Sequence, residues 1–443
     1  MTNADLSDFG TLEFEVFGDA TWFSCFAVSE LAVVSMGAVG SAVADLIAAL
    51  GLGTKPVVTV DRRLASLWFQ GSIQPQGWSV PPLWDAIAGD YRAQDGWIRL
   101  HTNAPHHRAA ALSVLGCKPE KDAVSEAVRG WAKDTLEAEI VAAGGAAAAM
   151  RSRDEWLVHP QGKAVAAEPL VRWVRRDGPC RDWLPTRDRP LKGLRVLDLT
   201  RVLAGPIATR ALAGFGAGVL RVDPPDWQEP GVVPDVTLGK RCSRLDLKTA
   251  EGLSRFEALI ARADVLVHGY RPGALDAILP SERRAALAPG LIEVCLDAYG
   301  WTGPWAGRRG FDSLVQMSSG IADAGARWAG SDHPHPLPVQ ALDHATGYLM
   351  AASVLTGLLY ALERREIGTA HLSLARTAEL LTSLDGTCGG AVAGPVQADF
   401  SEQIEHTPWG PADRLRPAIL VAGAPMRWDR PASELGSADP AWS

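Results

Sequence analysis

The chain has 443 residues, 47% of them hydrophobic and 21% charged, which is long enough for two or three domains and apolar enough for a substantial core. With 43 basic against 51 acidic residues, a net charge of −8, it lacks the basic excess that a nucleic-acid partner requires, although local Arg and Lys can still hold a small anion. Its six cysteines, Cys25, Cys117, Cys180, Cys242, Cys295 and Cys388, are scattered without a CxxC pair, which fits a reducing cytoplasm better than a disulfide scaffold.

The first stretch, MTNADLSDFGTLEFEVFGDA, is acidic and has no basic region, so it does not read as a signal peptide. Residues 28–50 are long enough to span a membrane but carry Glu30 and Asp45 among many Ala, Gly and Ser. Each acid at membrane depth would cost about 2.5–3.5 kcal/mol, so a buried core helix is expected, and no membrane partner. Residues 1–78 then form a helical segment packed on a larger domain. In 79–175, DYRAQDGWIRLHTN reads as a hairpin, followed by helices over HHRAAALSVLG and EAVRGWAKDTLEAEIVAAGG, giving a small α+β domain. Residues 176–190, rich in Pro, Arg and Asp, read as a linker.

Over 191–400 strands alternate with helices. GLRVLDLT is a strand and IATRALAGFG a helix; AGVLRVD is the next strand, and EGLSRFEALIARA a helix with Thr249 as its N-cap. ADVLVHGY and GLIEVCLDAYG are further strands. The fold class is therefore α/β, a parallel-sheet domain with a second, smaller α+β domain. The loops RVLAGP, PPDWQEP, HGYRPG and AYGWTGP would share the edge where such sheets bind ligands. Residues 401–443, with six prolines, read as an extended tail returning to the large domain. Residues 28–54 also align without a gap on 343–369, with Val39/Val354, Gly53/Gly368 and Thr54/Thr369 identical. A shared order of helix, Gly-Thr turn, strand and helix marks a degenerate half-repeat in which Val28 stands where the later copy has Asp343.

Asp343, in PVQALDHATGYL, precedes an apolar helix, where Asp is commonly an N-cap. Held partly desolvated at an anion-binding edge, the same carboxylate can instead attack an activated acyl group and form a mixed anhydride. Gly205-Pro206 lies between strand and helix, where backbone can approach a ligand. GFGAG at 214–218 follows the helix and reads as its C-terminal turn. His101, His106 and His107 lack a companion motif, so no metal is expected, and no GxSxG elbow occurs.

KGLRVLDLTRVLAGPIATRALAGFGAGVLRVD, LDLKTAEG, ADVLVHGYRPGAL, GWTGP, GFDSLVQMSSG and LDHATG occur in an order that resembles the family III CoA-transferases, the formyl-CoA and carnitine CoA-transferase type, over about 190–382. The resemblance implies a Rossmann-like domain and a cytoplasmic enzyme that moves CoA from an acyl-CoA to a small carboxylic acid, with no tightly bound cofactor. It implies that Asp343 is the nucleophile, passing through anhydride and aspartyl-CoA thioester species. It implies CoA contacts at Leu203, Ala204, Leu245, Asp246, Lys248, Gly269, Tyr270, Arg271 and Tyr299, and a homodimer. The segment resembling the family's small domain comes first here, so the order looks permuted. Relatives that racemise α-methylacyl-CoA carry His before the Asp of GFDSLVQ, where this chain has Phe311 before Asp312. Two alternatives stay open: an acyl-CoA isomerase or racemase using Asp343 as base, and a non-catalytic subunit of a hetero-oligomer.

Overall fold

The computed structural model describes residues 4–386 and 390–442; Cys388 lies outside them. Its main sheet has seven strands: β1 (Arg172–Asp177), β2 (Arg195–Leu199), β3 (Gly218–Asp223), β4 (Lys240–Arg244), β5 (Val265–His268), β6 (Ile292–Asp297) and β7 (Glu366–Ser373). Their order across the sheet is β4-β3-β2-β5-β6-β7-β1, parallel throughout except for β1, which runs antiparallel to β7. The central strands are apolar because both faces are covered; β5 is buried along its whole length. Strand order reverses between β2 and β5, and open sheets of this kind form a crevice at that point.

The β1 strand takes the last residues assigned to the small domain and the first two assigned to the linker. Its RWVRRD sequence is mostly exposed at the sheet edge, where charged side chains blunt further strand pairing. The β4 strand was not anticipated, because KRCSR carries no apolar alternation. Its charge is buried by pairing: Lys240 Nζ lies 3.0 Å from Asp198 Oδ2 and donates to the Pro206 carbonyl at 2.7 Å. Asp198, at the centre of the sheet, also accepts from the hydroxyls of Thr200 and Thr209, each at 2.5 Å.

Two long apolar helices, α1 (Val28–Ala49) and α4 (Ala341–Arg364), pack against each other on one side of this sheet. Both are long and apolar enough to cross a membrane, but 89% and 83% of their apolar windows are buried inside the protein. Each is followed by a short strand and a capped helix: Asp61 accepts the Leu64 N–H, and Ser373 accepts the Arg376 N–H. The helix–strand–helix order is thus the same in both places. Also packed on α4 is α2 (Ala204–Gly214). Contact there is close enough that a Cβ on Gly347 would fall 2.4 Å from the Ala204 carbonyl oxygen.

The smaller unit has an antiparallel sheet of Gly89–Arg92, Trp97–Leu100 and Ala147–Ala149, covered by the helices Pro105–Leu115, Lys121–Arg129 and Lys133–Ala142. The single helix expected after 125 is two, parted near Gly130. In the tail, Ile419–Val421 pairs with Val58–Asp61 in a separate three-stranded sheet, and the Trp428 indole N–H donates to the Arg210 carbonyl of α2 at 2.8 Å.

Removing the cation of the buried pair isolates a charge at the centre of the sheet. Lys240→Met is expected to cost about 3–5 kcal/mol in chemical denaturation, far more than an exposed Lys→Met change; a loss below 1 kcal/mol would mean Asp198 is not held ionised.

Candidate active site

The carboxyl ends of β2, β3, β5, β6 and β7 meet the small domain around a cleft of about 780 Å³. The RVLAGP loop forms its floor. Val202 adopts φ 66°, a left-handed conformation that a β-branched side chain rarely takes. What holds it is a relay of buried charge. The Val202 N–H donates to Glu229 Oε2 at 2.9 Å, and Glu229's other oxygen receives Arg221, which Asp223 clasps at 2.9 and 3.0 Å. Gly205 lets the turn close, since a Cβ there would lie 2.3 Å from Thr200. The first N–H groups of α2 have no side-chain cap, leaving them available to an anion at the cleft floor.

Asp343 sits in the cleft lining, in the first turn of α4. It is the third helical residue rather than the N-cap, and the acceptor for the helix end comes from elsewhere. Asp312, the first residue of α3 (Asp312–Ser318), takes the Asp343 N–H on Oδ2 at 2.9 Å. Its second oxygen accepts from the Gln316 amide, whose carbonyl in turn accepts the Leu337 N–H at 2.8 Å. Two carboxylates therefore share one buried corner. Burial, with the charge of Asp312, pushes Asp343 well above the usual carboxylate range. Burial raises Asp312 to about 6, against the Asp343 and Leu342 N–H groups and Gln316, which hold it down. The pair behaves as one unit that keeps a proton where isolated carboxylates would lose theirs. A third acid in the lining, Asp297 at the end of β6, is pushed by burial to about 7 although it accepts the Tyr299 and Gly300 N–H groups.

Cations and flat rings line the rest. The Arg201 guanidinium lies over Trp227 at 5.0 Å and Tyr270 at 5.6 Å. Arg271 and Arg309 both line the cleft, and burial plus the nearby Arg271 charge lowers the Arg309 pKa. A polyanion with an aromatic end group matches such a surface.

Of the residues singled out from the sequence, Asp343, Ala204, Gly269, Tyr270 and Arg271 line this cleft together. Leu203 lies just behind it as the α2 N-cap, its carbonyl accepting the Ile207 N–H at 2.8 Å. Leu245 and Asp246 line a separate depression with Arg244 and Thr249, and Lys248 is exposed beside them. The unforeseen β4 explains this, because it carries the LDLK loop to the outer edge of the sheet, two strands from β2. Tyr299 is fully buried, with its hydroxyl 3.1 Å from that of Ser318. Asp297 bends the backbone there and turns the ring inward. Asp312, Glu229 and Arg201 were not singled out from the sequence: each stands in a quoted motif or loop, with nothing local to say that Asp312 faces Asp343 or that Glu229 and Arg201 meet the RVLAGP loop and the cleft rings. Among the described residues no group of three or more His, Cys, Asp or Glu is arranged to hold a metal.

Residues 191–405 match the model of CoA-transferase family III. An acetyl-coenzyme A transferase of Hypoxylon pulicicidum is 35% identical over 184 residues, 40% of this chain and 31% of its own. A probable fatty acyl-CoA transferase of Mycobacterium tuberculosis is 32% identical over 194 residues, 40% of this chain and 49% of its own. Human succinyl-CoA:glutarate CoA-transferase is 33% identical over 187 residues, 39% of this chain and 42% of its own. The chain thus spans less than half the length of these relatives.

If Asp312 and Asp343 titrate as a unit, Asp312→Asn removes one charge while keeping an oxygen for the Asp343 N–H. In NMR titration of carboxyl-labelled aspartate the Asp343 midpoint should fall; an unchanged midpoint would leave burial as the whole cause. A carboxyl group whose folded pKa lies above its unfolded value contributes stability at low pH and loses it as pH rises through the folded pKa. Asp343→Asn should therefore gain stability over the parent as pH rises above the ordinary carboxylate range, until Asp343 itself ionises, read by denaturant unfolding.

Proposed function

We propose, from the match of residues 191–405 to the model of CoA-transferase family III, that this chain transfers CoA from an acyl-CoA to a carboxylic acid, with Asp343 as the covalent carrier. The observation that supports this most directly is the placement of Asp343: a buried carboxylate without a cation partner among the described residues, lining a cleft rich in arginine and aromatic rings. A poorly solvated carboxylate is a stronger nucleophile than one in water, once its proton has left.

In the proposed sequence the Asp343 carboxylate attacks the thioester carbonyl, the C–S bond breaks, and CoA thiolate leaves a mixed anhydride. The thiolate then attacks the aspartyl carbonyl, releasing the donor as its carboxylate and leaving an aspartyl-CoA thioester. An acceptor carboxylate reverses the two steps and restores Asp343. No water, oxidant or net proton is consumed, and exclusion of water protects both acyl-enzyme species. Arg201, Trp227 and Tyr270 would receive the nucleotide end of CoA, with Arg271 and Arg309 near its phosphates. The unpaired N–H groups at the start of α2 would face developing negative charge. Both sides of the cleft come from one chain, so this reading needs no residue from a second subunit.

The test is a CoA-transfer assay across several donors and acceptors. Asp343→Ala should keep its fold and bind CoA while transfer falls roughly 10³-fold or more. Normal transfer by that variant would refute the assignment. Deuterium uptake at the acyl α-carbon without any acceptor would point to the isomerase instead.

A further inference from the structure

Two large apolar side chains stand exposed at the mouth of the cleft, and the transferase chemistry does not use them. Leu83 and Trp84 are 46% and 37% exposed, and both line the cleft. No other large apolar side chain left so exposed among the described residues lines it. Single exposed leucines are ordinary on a protein surface, whereas an apolar patch inside a ligand cleft marks what the cleft holds.

Their exposure does not come from a loose segment. The Asn103 amide donates to the Leu83 carbonyl at 2.8 Å, and its side-chain oxygen accepts the Asp85 N–H at 2.9 Å. Asp85 in turn accepts the Thr102 hydroxyl at 2.7 Å. The Arg99 guanidinium lies over the Trp84 ring at 4.9 Å and is itself paired with Asp90 at 2.8 Å. Leu83 and Trp84 are thus presented to solvent on a pinned backbone, where polar residues would serve a purely structural turn better.

A wall of rings joins this lip to the reacting carboxylate. Trp84 meets the His101 ring edge-on at 5.7 Å, and His101 lies flat on Phe311 at 3.6 Å. Burial, with the neighbouring His107 and Arg99, pushes His101 down to about 3, so this ring is uncharged. Phe311 immediately precedes Asp312, which takes the Asp343 N–H. Trp84, His101, Phe311 and Asp343 all line the same cleft.

We propose that this wall receives the acyl chain of the donor and that Leu83 and Trp84 hold its far end, so that the enzyme favours medium-length or long aliphatic acyl-CoAs over short ones. The inference rests on the CoA-transferase reading, which puts the thioester carbonyl at Asp343. From there a chain running along Phe311, the uncharged His101 and Trp84 meets flat rings at each step. Burial strengthens binding about fourfold for each methylene fully removed from water. The nucleotide end of CoA is the other claimant for the lip. Its phosphates would meet Asp85 there, an acid that also lines the cleft, whereas cations and rings suited to it are gathered at Arg201, Trp227 and Tyr270.

Calorimetry in the Asp343→Ala background, where no turnover intervenes, can compare free CoA, butanoyl-CoA and decanoyl-CoA. Decanoyl-CoA should bind about tenfold or more tighter than butanoyl-CoA. Leu83→Ser combined with Trp84→Ser should bring that ratio to within about threefold and leave free CoA affinity unchanged, which also reports that the variant is folded. Leu83→Met combined with Trp84→Phe, which keeps the lip apolar, should retain most of the preference. A parent that binds CoA but shows no chain-length preference, or a preference that survives the double Ser change, overturns this inference alone. So does a loss of free CoA affinity in the Ser variant equal to its loss of decanoyl-CoA affinity, which would put CoA itself on the lip. Failure of CoA to bind the parent overturns the transferase reading and the inference together.

Discussion

The arrangement turns on how the start of α4 is capped. A helix end buried in a domain must find acceptors for its first N–H groups. Here the acceptor is a carboxylate from another helix, Asp312, reaching across to the Asp343 N–H. That choice places a second carboxylate, Asp343, in the first turn beside it, where the helix N-terminus favours negative charge but burial opposes it. Replacement of either acid therefore changes the other. The helix that carries Asp343 cannot easily shift, because α1 covers one side and α2 approaches Gly347 too closely for any side chain.

The same logic of buried charge supports the opposite side of the cleft. Asp198 with Lys240, and Arg221 with Asp223 and Glu229, sit below the RVLAGP loop and hold Val202 in a conformation it would not choose. Each pair is weak support for stability taken alone, since desolvation offsets most of the attraction. Together they fix the backbone of a loop to which α2 and the cleft floor are tied. Strain at Val202 is the kind of cost that a binding site retains and a purely structural turn would shed.

What was legible in the sequence followed from apolar periodicity. Strands β2, β3, β5 and β6 are buried on both faces and read as apolar runs, and α1 and α4 read as long core helices. The β4 strand escaped because Lys240 and its neighbours are buried by ion pairing rather than by apolar character, and β1 escaped because an edge strand is mostly exposed. Those misses also explain the site: an unseen β4 brought LDLK too near the cleft. Asp343 stood out through its motif. Its coupling to Asp312 and the Glu229–Val202 bond join residues distant along the chain, and no local pattern announces such contacts.

Covalent carboxylate catalysis requires that Asp343 become acylated. Incubating the protein with a panel of acyl-CoAs, trapping with hydroxylamine and mapping the product by mass spectrometry tests this directly. Conversion of Asp343 to its hydroxamate, dependent on the acyl-CoA, is the predicted result. Modification at another residue, or none with any donor despite measurable CoA binding, would contradict it.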